Sequence, residues 1–361
     1  MDFAFVGATS SETFGWFAHG LRKVMESEGH RYLEDSGDAK LVLNFFPPKR
    51  PRPVRRRANA VFVCAVTEFP VPFTEHLSQG YPYLLRSLAN LVAGFVPSSD
   101  GGDPDLHFVT PEQGHYVVSG GLDRESYFRE VYARIEPLAG STLVIDNIFE
   151  PDLPEGLWHG DDITESIFRA GRHLEGLNLL PAPFPIHDYL PERDLRHLKR
   201  LFGIGGLSYG NLSARYNSEW FWMSASGVDK SNLKEIGQHI LMVKDYDAER
   251  NGMRVSHPPG VEPRRVSVDA IEHWMIYREH PEVGAILHVH GWIDGVPSTE
   301  FNYPCGTREL GQAVADIVRD AHEPSRCVVG LKNHGLTITG TSLDEIFERV
   351  GSRIVQTVPM T

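Results

Sequence analysis

Two short stretches hold the residues best suited to chemistry. Ala285-Ile286-Leu287-His288-Val289-His290-Gly291 ends an apolar run in a His-x-His pair, and Leu331-Lys332-Asn333-His334-Gly335 sets a third histidine after the apolar run Cys327 to Leu331. Alternate residues of a strand point to one face, so His288 and His290 are expected side by side at a strand's C-terminal end. His334 before Gly335 suits a strand that turns its last side chain into a site. Three neutral imidazoles, at zinc–nitrogen distances of about 2.0–2.1 Å, leave a tetrahedral ion one open position, which separates a catalytic zinc from a structural one. With 17 histidines in 361 residues, about one His-x-His pair arises from composition alone, so the strand context has to carry this reading. The competing reading is histidines satisfied in the core or lying on the surface.

A chain of 361 residues exceeds what one hydrophobic core usually serves, so two domains are expected. The excess of 48 acidic over 35 basic residues, a net charge of -13, argues against nucleic acid or an anionic membrane as partner. A small anionic substrate stays compatible, because local charge decides that. Cys64, Cys305 and Cys327 lie far apart without Cys-x-x-Cys spacing and read as reduced thiols. The opening Met1-Asp2-Phe3-Ala4-Phe5-Val6-Gly7 has no basic segment and too short an apolar run for a signal peptide, and no later run approaches the ~20 residues of a membrane span. A cytoplasmic protein is the expectation.

Phe3 to Val6 reads as a strand, and Gly7-Ala8-Thr9-Ser10-Ser11 as a turn capping a helix over Thr13 to Glu28. Gly-x-Gly-x-x-Gly is absent, so no dinucleotide fingerprint is present. Lys40 to Phe46 and Ala60 to Val66 read as buried strands joined by the basic, proline-rich Pro47 to Arg57, a charge run expected to be solvated. Gly80 to Ala93 reads as a helix, Leu106 to Thr110 and His115 to Ser119 as a strand pair around Pro111-Glu112-Gln113-Gly114, Arg124 to Pro137 as a helix, and Ser141 to Ile148 as a strand. This alternation predicts a small α/β, Rossmann-like domain with a largely parallel sheet over residues 1–156, in which no chemical constellation stands out. Glu150 to Gly156 reads as the linker. Asp162 to Glu175, with Gly176 as C-cap, and Glu192 to about Phe202 read as helices, separated by Pro181-Ala182-Pro183-Phe184-Pro185.

Further on come Gly210-Asn211-Leu212-Ser213, Ser224-Ala225-Ser226-Gly227-Val228 and Ser267-Val268-Asp269, with Asp269 four residues before His273. His288-Val289-His290, Gly306-Thr307-Arg308-Glu309-Leu310 and Asn333-His334-Gly335 follow in order. In these pieces the chain from about Ile163 to Val350 resembles the class II aldolase/adducin family. The resemblance implies an αβα-layered catalytic domain over residues 157–361, a homo-oligomer, and a divalent metal, zinc or another such as manganese, held by His288, His290 and His334. Family members cleave or rearrange sugar phosphates and related hydroxy or keto acids through a metal-stabilised enediolate. The implied function is a zinc-dependent lyase of aldolase or decarboxylase type. The alternatives are a sugar phosphate 4-epimerase and a noncatalytic, adducin-like interaction module.

Asp269 matches a position that is a glutamate general base in the aldolases and an aspartate beside the metal in the 4-epimerases. It reads as a base, as an additional ligand, or as an ordinary acid in a helix's first turn. Gly210, Asn211, Ser226, Gly227 and Ser267 match positions that bind the substrate phosphate, where glycine turns and small hydroxyls suit an anion. Val268 stands where the family has a further serine. The stretch His290 to Pro304 is shorter than in the aldolases, and 27 residues follow His334, too few for the segment from which some members bring a catalytic tyrosine. Tyr303 and Tyr246 are the candidate substitutes.

Overall fold

The apolar residues after Met1 extend into β1 (Asp2–Val6), and the Ser11 hydroxyl accepts a hydrogen bond from Phe14 N to start α1 (Glu12–Ser27). In the computed structural model, which describes residues 1–54, 62–98, 101–110, 113–179, 192 and 209–361, the chain divides into a first unit over Met1–Gly140 and a second that begins at Ser141. Among the described residues both units are mixed α/β, each built on one sheet.

The first unit continues with β2 (Arg31–Tyr32), β3 (Leu41–Phe45), β4 (Phe62–Glu68), α2 (His76–Ser87), β5 (Leu91–Val96), β6 (Asp105–Thr110), β7 (Gly114–Val118) and α3 (Arg124–Gly140). Among the described residues its sheet runs β2-β1-β3-β4-β5-β6-β7, parallel as far as β5 and antiparallel through the β6–β7 hairpin. Leu41, Leu43, Phe45, Cys64, Val66, Phe108 and Tyr116 pack with Phe14, Phe17 and Leu21 of α1 and Tyr127, Phe128 and Val131 of α3. The helix expected from Gly80 to Ala93 starts earlier and stops at Ser87, because Leu88 takes a left-handed φ of 53°. The rest of that run is the buried strand β5; a short apolar stretch has no period that tells strand from helix.

In the second unit follow β8 (Asp146–Glu150), α4 (Asp162–Gly176), β9 (Gly210–Arg215), β10 (Phe221–Ser224), β11 (Ile240–Asp247), β12 (Gly252–Ser256), α5 (Ala270–Glu279), β13 (Ala285–Val289), α6 (Arg308–Asp320), β14 (Val328–Leu331), β15 (Gly335–Gly340) and α7 (Leu343–Val350). The sheet runs β14-β15-β13-β9-β10-β11-β12-β8 among the described residues. One face packs against α5 and α6 through Phe221, Met223, Ile286, Ile271, Ile276, Leu310 and Val314. The other packs against α4 and α7 through Leu212, Trp222, Leu287, Ile338, Ile167 and Ile346.

Two boundaries differ from the sequence expectation. The strand expected over Ser141 to Ile148 forms as β8 and pairs in parallel with β12, from Asp146 against Gly252 to Glu150 against Ser256. It therefore belongs to the second unit, and the division falls at Gly140 rather than in the 150–156 linker, so the 1–156 and 157–361 limits shift. Glu150 is fixed there by Lys244 Nζ at 2.6 Å and Arg254 Nε at 2.8 Å, partners about a hundred residues away that local sequence does not reveal. Gly176 is the last residue of α4 rather than its cap, and Asn178 takes the left-handed φ. The expected helix over Glu192 to Phe202, Pro181 to Pro185, Pro111-Glu112 and Arg55 to Arg57 lie outside the described residues, apart from the single residue 192. No helix among the described residues is long and apolar enough to cross a membrane.

Candidate metal centre

Strand β13 lies between β9 and β15, and its register places Asn211, His288 and Thr337 in one row across the three strands. Period two puts that row on the face covered by α5 and α6, together with Ser213 and Ile286. Glycines let the neighbours close on the end of β13. Gly210 has a φ of +149°, and a Cβ there would overlap the His288 carbonyl oxygen; a Cβ on Gly335 would overlap that of Val289.

At this strand end three imidazoles converge. One ring nitrogen each from His288, His290 and His334 lies within 4.8 Å of the others, and His288 Nε2 faces His334 Nε2 at 3.3 Å. Two nitrogens on one tetrahedral zinc at about 2.0–2.1 Å stand about 3.3 Å apart, so this pair already fits the ion. Burial, more than the other imidazoles, holds His334 well below its ordinary pKa; burial also lowers His288 against the pull of Asp269. Both favour the neutral form that a metal binds.

The Asp269 carboxylate reaches this cluster, with Oδ2 3.9 Å from His288 Nε2, and accepts a hydrogen bond from Asn211 Nδ2 at 2.7 Å. Asp269 is the N-cap residue of α5 and caps no backbone amide with its side chain; its carboxylate is held by Asn211 instead. Cys305, expected only as a reduced thiol, sets Sγ 2.8 Å from His334 Nε2. It sits just before Gly306, whose φ of +70° lets the chain turn closely past Val268 into α6. The position of Cys305 next to the Gly306-Thr307-Arg308 motif was the available signal, but motif order alone does not say which side chain faces the histidines.

A second layer of polar groups lies under α5. Thr337 donates to Glu272 Oε1, while Glu272 Oε2 is buried without a hydrogen-bond partner. Burial, with a smaller contribution from the Asp269 charge, pushes Glu272 up to about 8. Ser213 Oγ lies 2.8 Å from both His273 Nδ1 and Tyr277 Oη, and burial keeps His273 well below its ordinary pKa. Gly311 brings α6 close to this layer, since a Cβ there would stand 2.9 Å from Met275 Sδ and 3.2 Å from Glu272 Cα.

The residues expected to bind an anion divide into two groups. Gly210 and Asn211 lie against His288 itself. Ser226 and Gly227 lie on the exposed loop after β10, where Ser226 N donates to Arg265 O, and Ser267 N donates to Ser224 O. This ties the loop to the segment that leads into Asp269. Under it, Lys230 is 1 % exposed and donates from Nζ to the carbonyls of Ala225 and Val228; burial lowers it to about 8. Of the candidate tyrosines, Tyr246 donates to Asn251 Oδ1 at 2.8 Å, and the Tyr303 ring packs edge-on to Phe301.

Several known proteins are similar to part of this chain. A methylthioribulose-1-phosphate dehydratase of Klebsiella pneumoniae is 26% identical over 167 residues, 38% of this chain and 76% of the relative. One from Xanthomonas campestris is 31% identical over 129 residues, 34% of this chain and 54% of the relative. An L-fuculose-1-phosphate aldolase structure from Thermus thermophilus aligns at 17% identity over 53% of this chain and 88% of its own, with a TM-score of 0.33. Residues 195–292, which hold Gly210, Asp269 and the His288–His290 pair, match the class II aldolase and adducin N-terminal domain.

Proposed function

We propose that this protein is a divalent-metal-dependent lyase acting on a small phosphorylated sugar or hydroxy or keto acid. The observation that carries the reading is the meeting of His288, His290 and His334 with the Asp269 carboxylate at one strand end. These imidazoles would hold zinc or manganese, which supplies Lewis acidity toward a carbonyl or hydroxyl oxygen. Asn211 donates to Asp269 Oδ2 and so fixes the carboxylate beside His288. Asp269 then either takes a proton from substrate carbon or completes the ligand set. Gly210, Asn211, Ser226, Gly227 and Ser267 would hold the substrate's anionic group, with the N-terminus of α5 and the Lys230 ammonium adding positive field beneath that loop. In this reading the C-terminal unit is catalytic and the N-terminal one a Rossmann-like domain, in a cytoplasmic homo-oligomer.

The test starts with metal content of protein purified without chelator. His288→Ala and His334→Ala are each expected to carry one divalent ion fewer than wild type. A panel including methylthioribulose 1-phosphate and fuculose 1-phosphate, with products read by mass, then reports the reaction; cleavage or loss of water separates a lyase from an epimerase, whose product keeps the substrate mass. Asp269→Asn is expected to keep the ion and lose at least ~100-fold in turnover. Equal metal content in wild type and both histidine variants would sink the assignment.

A further inference from the structure

The first unit carries a second histidine cluster. His107 on β6 and His115 on β7 are diagonal neighbours across the hairpin, since His107 pairs with Val117 and Val109 with His115. Period two turns them to the face opposite Leu106, Phe108, Tyr116 and Val118, which belong to the core under α1 and α3. Helix α2 lies on their face, and its first residue is His76. Gly80 sets the approach, because a Cβ there would stand 2.6 Å from Val109 Cγ2.

One ring nitrogen from each of His76, His107 and His115 lies within 4.8 Å of the other two. His107 Nδ1 and His115 Nε2 are 2.9 Å apart, and the His76 and His115 rings stack with centroids at 4.0 Å. Phe73 stands edge-on to His107, with centroids at 5.1 Å, and stacks on Phe69 at 4.2 Å. The Phe69 ring fills the space that a side chain on Gly94, the cross-strand partner of His107, would need. Two aromatic rings thus wall one side of the cluster, while the three imidazoles themselves stay half-buried.

We propose that His76, His107 and His115 bind a divalent transition-metal cation, zinc in the first instance, which clips the start of α2 to the β6–β7 hairpin. Among the described residues the donor set is imidazole nitrogen alone; the Cys64 thiol of the same unit packs into the core on the opposite face. That set suits a borderline cation rather than a soft one held by thiolates or a hard one held by carboxylates. Burial lowers His107 to about 4 and His115 to about 3, so both present neutral rings. Because the ligands come from residues 76, 107 and 115, the ion closes loops of the folded unit and favours it over the unfolded chain.

The test uses the full chain with His288→Ala and His334→Ala combined, which removes the C-terminal centre and leaves the first unit intact. After loading with zinc chloride and desalting, this protein is expected to retain one zinc per chain, and to lose it when His107→Gln or His115→Asn is added. A measurement free of further variants guards against misfolding: diethylpyrocarbonate labelling read by peptide mass, in which zinc is expected to protect His76, His107 and His115 together. No retained zinc, or labelling of these three that zinc leaves unchanged, overturns the proposal. Zinc retained undiminished by both added substitutions does so as well.

Discussion

Replacing Glu272 with glutamine in metal-free protein tests the polar layer under α5 most directly. The substitution keeps the shape and the oxygen that accepts from Thr337. In the folded protein Glu272 is pushed from the ordinary 4.5 up to about 8, first by burial and then by Asp269. Below the ordinary value the carboxyl is protonated whether the chain is folded or not, and the group costs nothing. Between 4.5 and about 8 the unfolded chain releases the proton while the folded one keeps it, so stability falls as pH rises. Each pH unit of that window is worth about 1.4 kcal/mol, so the loss across it reaches at most about 5 kcal/mol. Glu272→Gln is expected to remove most of this slope.

Urea unfolding followed by tryptophan fluorescence is suited to the measurement, because only Trp16 lies in the first unit and the other five tryptophans lie in the second. The protein is stripped with chelator, since a cation beside Asp269 favours ionised carboxylates. Wild type and Glu272→Gln losing stability in parallel across the window would refute the reasoning, as would a wild type that gains stability relative to the variant. Asp269→Asn supplies a control, expected to flatten the slope in part by removing the neighbouring charge.

Three further outcomes follow from the same geometry. Gly210→Ala drives a methyl into the backbone carbonyl of His288, and is expected to cost roughly 2–4 kcal/mol in urea unfolding and to weaken metal uptake at His288. Ser213→Ala leaves His273 Nδ1 and Tyr277 Oη without their shared partner and is expected to cost about 1–3 kcal/mol, read as a lower unfolding midpoint at unchanged denaturant slope. Of the three cysteines, Cys64 and Cys327 are buried while Cys305 is half-buried. Iodoacetamide is expected to modify Cys305 first, and zinc to slow that reaction roughly tenfold or more through the neighbouring His334; equal rates with and without zinc would remove Cys305 from the centre.

Local periodicity and motif order made part of this protein legible in the sequence. The apolar run into His288-Val289-His290 reads as a strand with two imidazoles at its end, and six ordered motifs add His334 and Asp269 before any contact is known. The β6–β7 hairpin was equally plain, because alternating residues on either side of a turn carry their own register. What tertiary structure decided depends on residues distant in sequence. Glu272 looks like a solvated first-turn acid until Thr337, 65 positions later, covers it. Cys305 becomes part of the centre only when the turn at Gly306 packs against Val268. His76 joins His107 and His115 because Gly80 lets α2 settle on the sheet, and β8 leaves the first unit because its best partner is β12. A period of two or 3.6 residues records which face a side chain takes, whereas which faces meet is set by close packing between elements, and no local pattern encodes that.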